Sequence, residues 1–520
     1  MKKRILLAVA IVLFCVLTAG VVSAVETVMV DNFQELKENL TQGDKIIIIT
    51  KHIPVMEECE LNITSGMNIT LTTDNEHNNT IMRYAAQTSG NGLFNVTGGK
   101  LTLRDNGTKI LTLDGNSSSF SDTSSTTPPP TENTRPLVYI GENGVFHMYG
   151  GCITNNTVQY TGTGGGVCVI GGNFYMYNGT ISNNFAGDGG GIFVDEGGFS
   201  IIAVPWNSCT NARISNNNAA ACGGGVYVGG VGNRVSSFSM YGGMISGNSA
   251  GIDGGGVYLK ESSSELGMGG YARISNNAAE CGGGVSSHGV FEMGGNANIS
   301  ENFASWDGGG MYLAGYAFSM SENASISKNN AIYGGGIYIG STPGEPGYLM
   351  SDNADISNNS ANIDGGGVYL AIGEFQMKNG TISGNKAIDG NGGGLYIDTE
   401  PIMNTEKFVM SGGKISRNSA GRQGGEIYHN GDADSFIISH DAVVDGNETY
   451  LTDGRPVKVE HSLSSPIMDI QLTQSLLMDR FSQSRVTATY FQILLQITLS
   501  PSLSKKYPPH QPIMTTPTAT

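Results

Sequence analysis

The 520-residue chain has a formal net charge of −17, only 14% of its residues are charged, and its Lys and Arg are scattered. That balance argues against nucleic acid and against an anionic membrane surface as partners. Its 76 glycines follow no collagen period, and the exterior must be mostly Ser, Thr, Asn and Tyr.

Lys2, Lys3 and Arg4 precede the apolar run Ile5–Leu17, and Val22, Ser23 and Ala24 offer small residues for cleavage. Residues 1–24 therefore read as a secretory signal peptide, and the run is too short for a membrane span. The mature chain is expected to be secreted, extracellular or at the cell surface, with no transmembrane segment after signal removal. Next comes a helix start: Asn32, Phe33, Gln34 and Glu35 form a capping-box pattern, with Phe33, Leu36 and Leu40 on one face. This helix is the expected N-terminal cap of a strand-rich body. Ile46–Ile49, Ile69–Leu71, Leu93–Val96, Leu101–Leu103 and Ile110–Leu113 read as irregular strands. Residues 117–136 are rich in Ser, Thr and Pro, and read as a flexible loop.

From Phe146 to Tyr428 the chain repeats itself. Phe238–Leu259 reads FSMYGGMISGNSAGIDGGGVYL, and Phe318–Ile339 reads FSMSENASISKNNAIYGGGIYI. The shared skeleton is Phe-x-Met, Ile-Ser-x-Asn, Ala, Gly-Gly-Gly and an apolar-Tyr-apolar triplet. Each piece alternates with period two, so each is a short strand. A three-residue strand cannot stand alone, but it can pair with its copies in the turns above and below. Gly triplets recur every 25 to 34 residues, enough for one coil of three short strands plus loops. The expectation is an all-β, right-handed parallel β-helix over residues 25–460. Its Phe-x-Met pairs (Phe174, Met176, Phe238, Met240, Phe318, Met320, Phe375 and Met377) should be buried. Longer coils put loops at Ile201–Asn211 and Gly340–Gly347. The Asn of Ser-x-Asn, from Asn184 to Asn418, can bond its equivalent one coil away.

Two outward columns are candidate sites. The central triplet position, expected to face solvent, carries Tyr227, Tyr258, Tyr312, Tyr338, Tyr369 and Tyr396. These rings either stack to stabilise the sheet or offer a platform to a glycan or a cell-surface protein. The slot before Gly-Gly-Gly reads Asp188, Cys222, Asp253, Cys281, Asp307, Tyr333, Asp364 and Asn391. Its Asp residues, with Asp253, Asp307 and Asp364 as weak metal candidates, form an acidic line or cap the glycine turn through their own backbone. Because the carboxylates are spread over separate coils, no metal or other cofactor is expected. Cys222 and Cys281 lie two coils apart, too far for a disulfide, and no Cys-x-x-Cys exists. Residues 461–520 hold no glycine and no repeat motif. They are a cap with a tail, or sequence out of frame with the natural continuation.

The pairing of Gly-Gly-apolar-Tyr with a downstream Phe and Ser-x-Asn resembles the GGAI and FxxN repeats of chlamydial polymorphic outer-membrane proteins. It is more similar to adhesin-like β-helix surface proteins of archaea and bacteria, through ISNN at Ile181–Asn184 and GGGVYL at Gly254–Leu259. The resemblance covers Phe146–Tyr428 and implies a pectate-lyase-like solenoid at the cell surface, often adhesive. The same fold hosts polysaccharide lyases and glycoside hydrolases, which is the alternative function. Those enzymes need clustered carboxylates. Here no Asp-Asp pair occurs within the repeats, His288 is a lone loop histidine, and Arg213 and Arg273 either flank an anionic sugar, pair with surface acids or are simply solvated. No catalytic residue is therefore assigned.

Overall fold

The computed structural model describes residues 25–116, 133–203, 210–230, 234–340, 347–398, 407–429, 435–445, 449–451 and 458–459. The signal peptide 1–24, the tail 461–520 and most of the loop 117–136 lie outside the described residues. So do the middles of the two long loops, at 204–209 and 341–346.

One turn shows how the repeat folds. Its strands are Ser236–Met240, Met244–Ser246, Ser249–Ala250 and Val257–Leu259. They pair in parallel with the next turn, Phe238 on Leu266, Ile245 on Ile274 and Val257 on Val285. Repeated along the chain, this pairing builds sheets of 28, 14 and 9 strands. The molecule is a parallel β-helix. The two-residue strand was not expected: the repeat pattern predicts three strands in a coil, whereas regular turns carry a fourth, as at Phe303–Ala304 and Ser360–Ala361. Two residues are too few to show alternation, so this strand is visible only through its pairing.

The core is a set of ladders. Phe146 stacks on Phe174 at 4.8 Å, Phe174 on Phe199 at 4.9 Å and Phe199 on Phe238 at 4.6 Å between ring centroids. The expected Phe-x-Met residues are all buried, each side chain contributing about 1.5–3 kcal/mol of transfer free energy. The N-terminal helix runs Phe33–Asn39, and Asn32 caps it by accepting a hydrogen bond from the Glu35 backbone N–H at 3.0 Å. Leu36 is buried, and Phe33 and Leu40 pack against the core.

A second ladder is polar. Asn302 Oδ1 accepts from both the backbone N and the Nδ2 of Asn277 at 3.0 Å, and its own Nδ2 donates to Ile274 O at 3.1 Å and Asn329 Oδ1 at 3.0 Å. All four bonds of that amide are satisfied out of water, which a buried amide requires. The same bonds recur from Asn184 to Asn418. The third glycine lets the next turn approach: a Cβ at Gly310 would lie 2.6 Å from Gly336 O and 2.9 Å from Asn329 Nδ2, while Gly308 is needed for its φ of 66°. The ladder starts one turn earlier than expected, at Asn156, whose backbone N donates to Asn184 Oδ1. Thr154 replaces the Ser of the motif there. At this end the buried Arg83 guanidinium donates to Asn156 Oδ1, and burial brings its pKa down to about 9, so it remains a cation at neutral pH. At the other end Asn418 donates its backbone N–H and Nδ2–H to the Glu426 carboxylate, at 3.3 and 2.6 Å. Every amide dipole between points the same way, with a cation at the oxygen end and a carboxylate at the N–H end.

Candidate functional site

The triplet tyrosines do form a stack. Centroid separations are 5.4 Å for Tyr312–Tyr338, 5.0 Å for Tyr338–Tyr369, 4.8 Å for Tyr369–Tyr396 and 5.0 Å for Tyr396–Tyr428, with planes within 15° of parallel. The expected exposure is not found. Tyr227, Tyr258 and Tyr369 are only 6%, 9% and 8% exposed, and Tyr312, Tyr338 and Tyr396 are half-buried. Alternation correctly turns these side chains away from the core, but it does not report what lies over them. The slot before the glycines does: Cys222 packs on Tyr227 and Tyr258, and Tyr333 meets Tyr369 edge-on at 5.5 Å. Each ring also spends its faces on its neighbours, leaving edges to solvent. The Tyr369 hydroxyl donates to Asp398 at 2.7 Å. Burial raises the tyrosine pKa values, to about 12 at Tyr312.

The acidic slot also differs from expectation. Asp188 accepts from the backbone N–H of Cys222 at 3.0 Å, and Asp364 from that of Asn391 at 2.6 Å. These carboxylates cap the corner of the following turn, not their own. Cys281 pairs beside Asp253, and Tyr333 beside Asp307, so Asp253, Asp307 and Asp364 stand in alternate turns and do not converge. Among the described residues no group of three or more His, Cys, Asp or Glu could hold a metal ion. Desolvation pushes the slot carboxyls up, Asp307 to about 6. Cys222 and Cys281 are free thiols separated by the Asp253 turn. His288, expected in solvent, is half-buried with its ring 5.7 Å from Tyr258, and that burial lowers its pKa.

The solvent-accessible polar surface lies instead on the Ile-Ser strands. Isoleucine points inward, and the residues on either side of it point out. The column before Ile reads Arg213, Met244, Arg273, Asn298, Ser325, Asp355 and Thr381, and the column after it is Ser throughout. Between Tyr271, Arg273, Asn298, Ser300, Ser325 and Lys328 runs an open groove of 420 Å³. Asn298 Nδ2 donates to Ser325 Oγ at 2.7 Å, which fixes its amide in the groove floor. Lys328 lies 3.7 Å from Glu301, whereas the exposed Arg273 makes no ion pair among the described residues. Arg213 and Arg273 do share a column two turns apart, as expected, with Met244 between them.

One aromatic cluster was not anticipated from the sequence. His147, Tyr149, Tyr175 and Tyr177 occupy outward positions of two adjacent turns, and the Tyr149 and Tyr177 rings are 4.3 Å apart. Tyr149 is exposed. Its signal was present in the aromatic residues between and after Phe and Met, in FHMY and FYMY.

Fold and surface together define a parallel β-solenoid with a repetitive polar face. The chain matches no family model, no curated protein and no solved structure. Among the described residues no helix is long and apolar enough to cross a membrane.

Proposed function

We propose that this is a secreted or cell-surface, adhesin-like β-helix protein without catalytic activity, whose repetitive outer face binds glycan. The observation that carries this reading is the groove over the Ile-Ser strands. It places hydroxyls, a fixed amide, the Arg273 guanidinium, which makes no ion pair among the described residues, and the Tyr271 ring along one stacked surface. Polyhydroxylated ligands are held by convergent polar groups of this kind with an aromatic face beside them. The serine after Ile recurs in register about 4.8 Å further on in each turn, which suits a ligand that is itself repetitive, while the varied residues before Ile distinguish one turn from the next.

The test is a glycan array probed with the mature full-length protein and with an Arg273→Ala/Asn298→Ala variant. The expected result is capture by the parent and at least tenfold weaker capture by a variant of unchanged thermal midpoint. Unaltered capture by the folded variant removes this face from the account. Appearance of new reducing ends or unsaturated sugars in a polysaccharide panel would instead establish a lyase or hydrolase.

A further inference from the structure

An apolar stripe crosses the corner that precedes the acidic slot. The position just before the slot carries Ile252, Glu280, Trp306, Ile332 and Ile363 in successive turns. The backbone hydrogen bonds Glu280 N→Ile252 O (2.9 Å), Trp306 N→Glu280 O (2.9 Å), Ile332 N→Trp306 O (2.9 Å) and Ile363 N→Ile332 O (3.0 Å) set that register. Trp306 is 53% exposed, Phe303 49%, Ile388 39% and Ile363 38%, with Ile332 half-buried between them. Large apolar side chains gathered on a soluble surface mark an interaction site, whereas scattered ones do not. The stacking of this fold requires none of them: the equivalent positions are filled by Ala221 and Glu280 elsewhere in the same column.

We propose that the Phe303–Trp306–Ile332–Ile363–Ile388 stripe docks a protein segment that alternates apolar and basic side chains. Three features select that occupant. Ile332, Ile363 and Ile388 offer no π face and no hydrogen bond, so beyond the Phe303 and Trp306 rings most of the stripe suits apolar protein side chains better than sugar rings. Its margins carry a net negative charge: Glu280 and Asp389 are exposed on the same corner and Asp307 and Asp364 border it from the slot, against two cations at its far end, Lys386 and the exposed Arg422, which lies near Asp364. A second copy of this chain would bring its own acidic margin and a net charge of −17 against the first, which opposes self-association. The stripe shares no residue with the lining of the polar groove, so substitutions can test the two independently.

The chain contains two tryptophans, and Trp206→Phe leaves Trp306 as the sole tryptophan, excited apart from the tyrosines at the red edge of the absorption band. In that full-length background, a synthetic peptide alternating Leu and Lys should shift Trp306 emission to the blue, saturably and less strongly at high salt. Ile332→Ser/Ile363→Ser should weaken binding at least tenfold, and Glu280→Gln/Asp389→Asn several-fold, with circular dichroism unchanged. Any of four results overturns the proposal: no blue shift, equal binding of a Leu–Glu peptide, parental affinity in both variants, or the same shift on adding oligosaccharide. A shift that grows with protein concentration alone assigns the stripe to a second copy and overturns it equally.

Discussion

In each regular corner the residue between Ser and the ladder Asn sits in the left-handed region. Asn183, Asn216, Asn276 and Asn358 suit it, but Glu301, Lys328 and Arg417 are held there at φ of 59°, 57° and 62°. Left-handed backbone costs most side chains about 1–2 kcal/mol, and Asn less because its side chain bonds locally. Lys328→Asn should therefore raise stability by about 0.5–1 kcal/mol, read as a higher urea midpoint; the ion pair it gives up is exposed and worth little. The ladder position beside it predicts the opposite. Asn302→Ala takes the acceptor from the Asn277 backbone N–H and Nδ2 and the donor from Ile274 O in a dry interior, while the backbone N–H of residue 302 still reaches Asn329 Oδ1, and it should cost about 3 kcal/mol. The ladder was legible because Ser-x-Asn repeats without fail. Asn156 was not, because Thr154 breaks the motif. Arg83 was not either, because it meets Asn156 across 73 residues of irregular sequence.

The longer strands of each turn and the buried Phe-x-Met ladder could be read from alternation, since inward and outward are decided by neighbours one and two residues away; the two-residue strands of the 9-stranded sheet could not. What covers an outward side chain is decided by a corner folding over it, and alternation carries no trace of that. The tyrosine column is the clearest instance. Its stacked, half-buried rings belong to the stability of the 14-stranded sheet, each ring pair contributing up to about 1 kcal/mol. Tyr338→Ser/Tyr369→Ser breaks the contacts of both rings with Tyr312 and Tyr396 and the Tyr369–Asp398 hydrogen bond. The double variant should melt measurably lower and still bind glycan as the parent does; equal melting with lost binding would return the column to the functional surface. The groove was half legible. Arg273 was singled out, but Asn298 and Ser325 were not, because each is unremarkable until three turns are stacked.

Across the whole molecule the slot carboxyls give the solenoid a pH signature. An acid whose pKa is higher folded than unfolded keeps its proton longer in the native state, so its contribution to stability falls as pH rises through the interval between the two. For Asp307 that interval runs from 3.8 to about 6. The thermal midpoint should decline across it, and Asp307→Asn should flatten part of the decline; an identical slope in the variant would show that the carboxyl is already solvated. The decay of the repeat at Gly424, Gly425 and Glu426 has a related physical reading. Glu426 stands where other turns have the third glycine, and its carboxylate receives the last ladder amide. Because Arg83 and Glu426 hold only the two ends, every turn between them is interchangeable in register. Removing residues 311–336 would join Gly310 to Ile337 and let Asn302 meet Asn359, shortening the rod by about 4.8 Å. Small-angle scattering on that deletion should show a shorter particle of unchanged cross-section. The polar ladder thus works as a ruler whose length is set by how many copies lie between its terminal charges, so a lineage can change its reach by gene-level duplication or loss of single turns without redesigning either end.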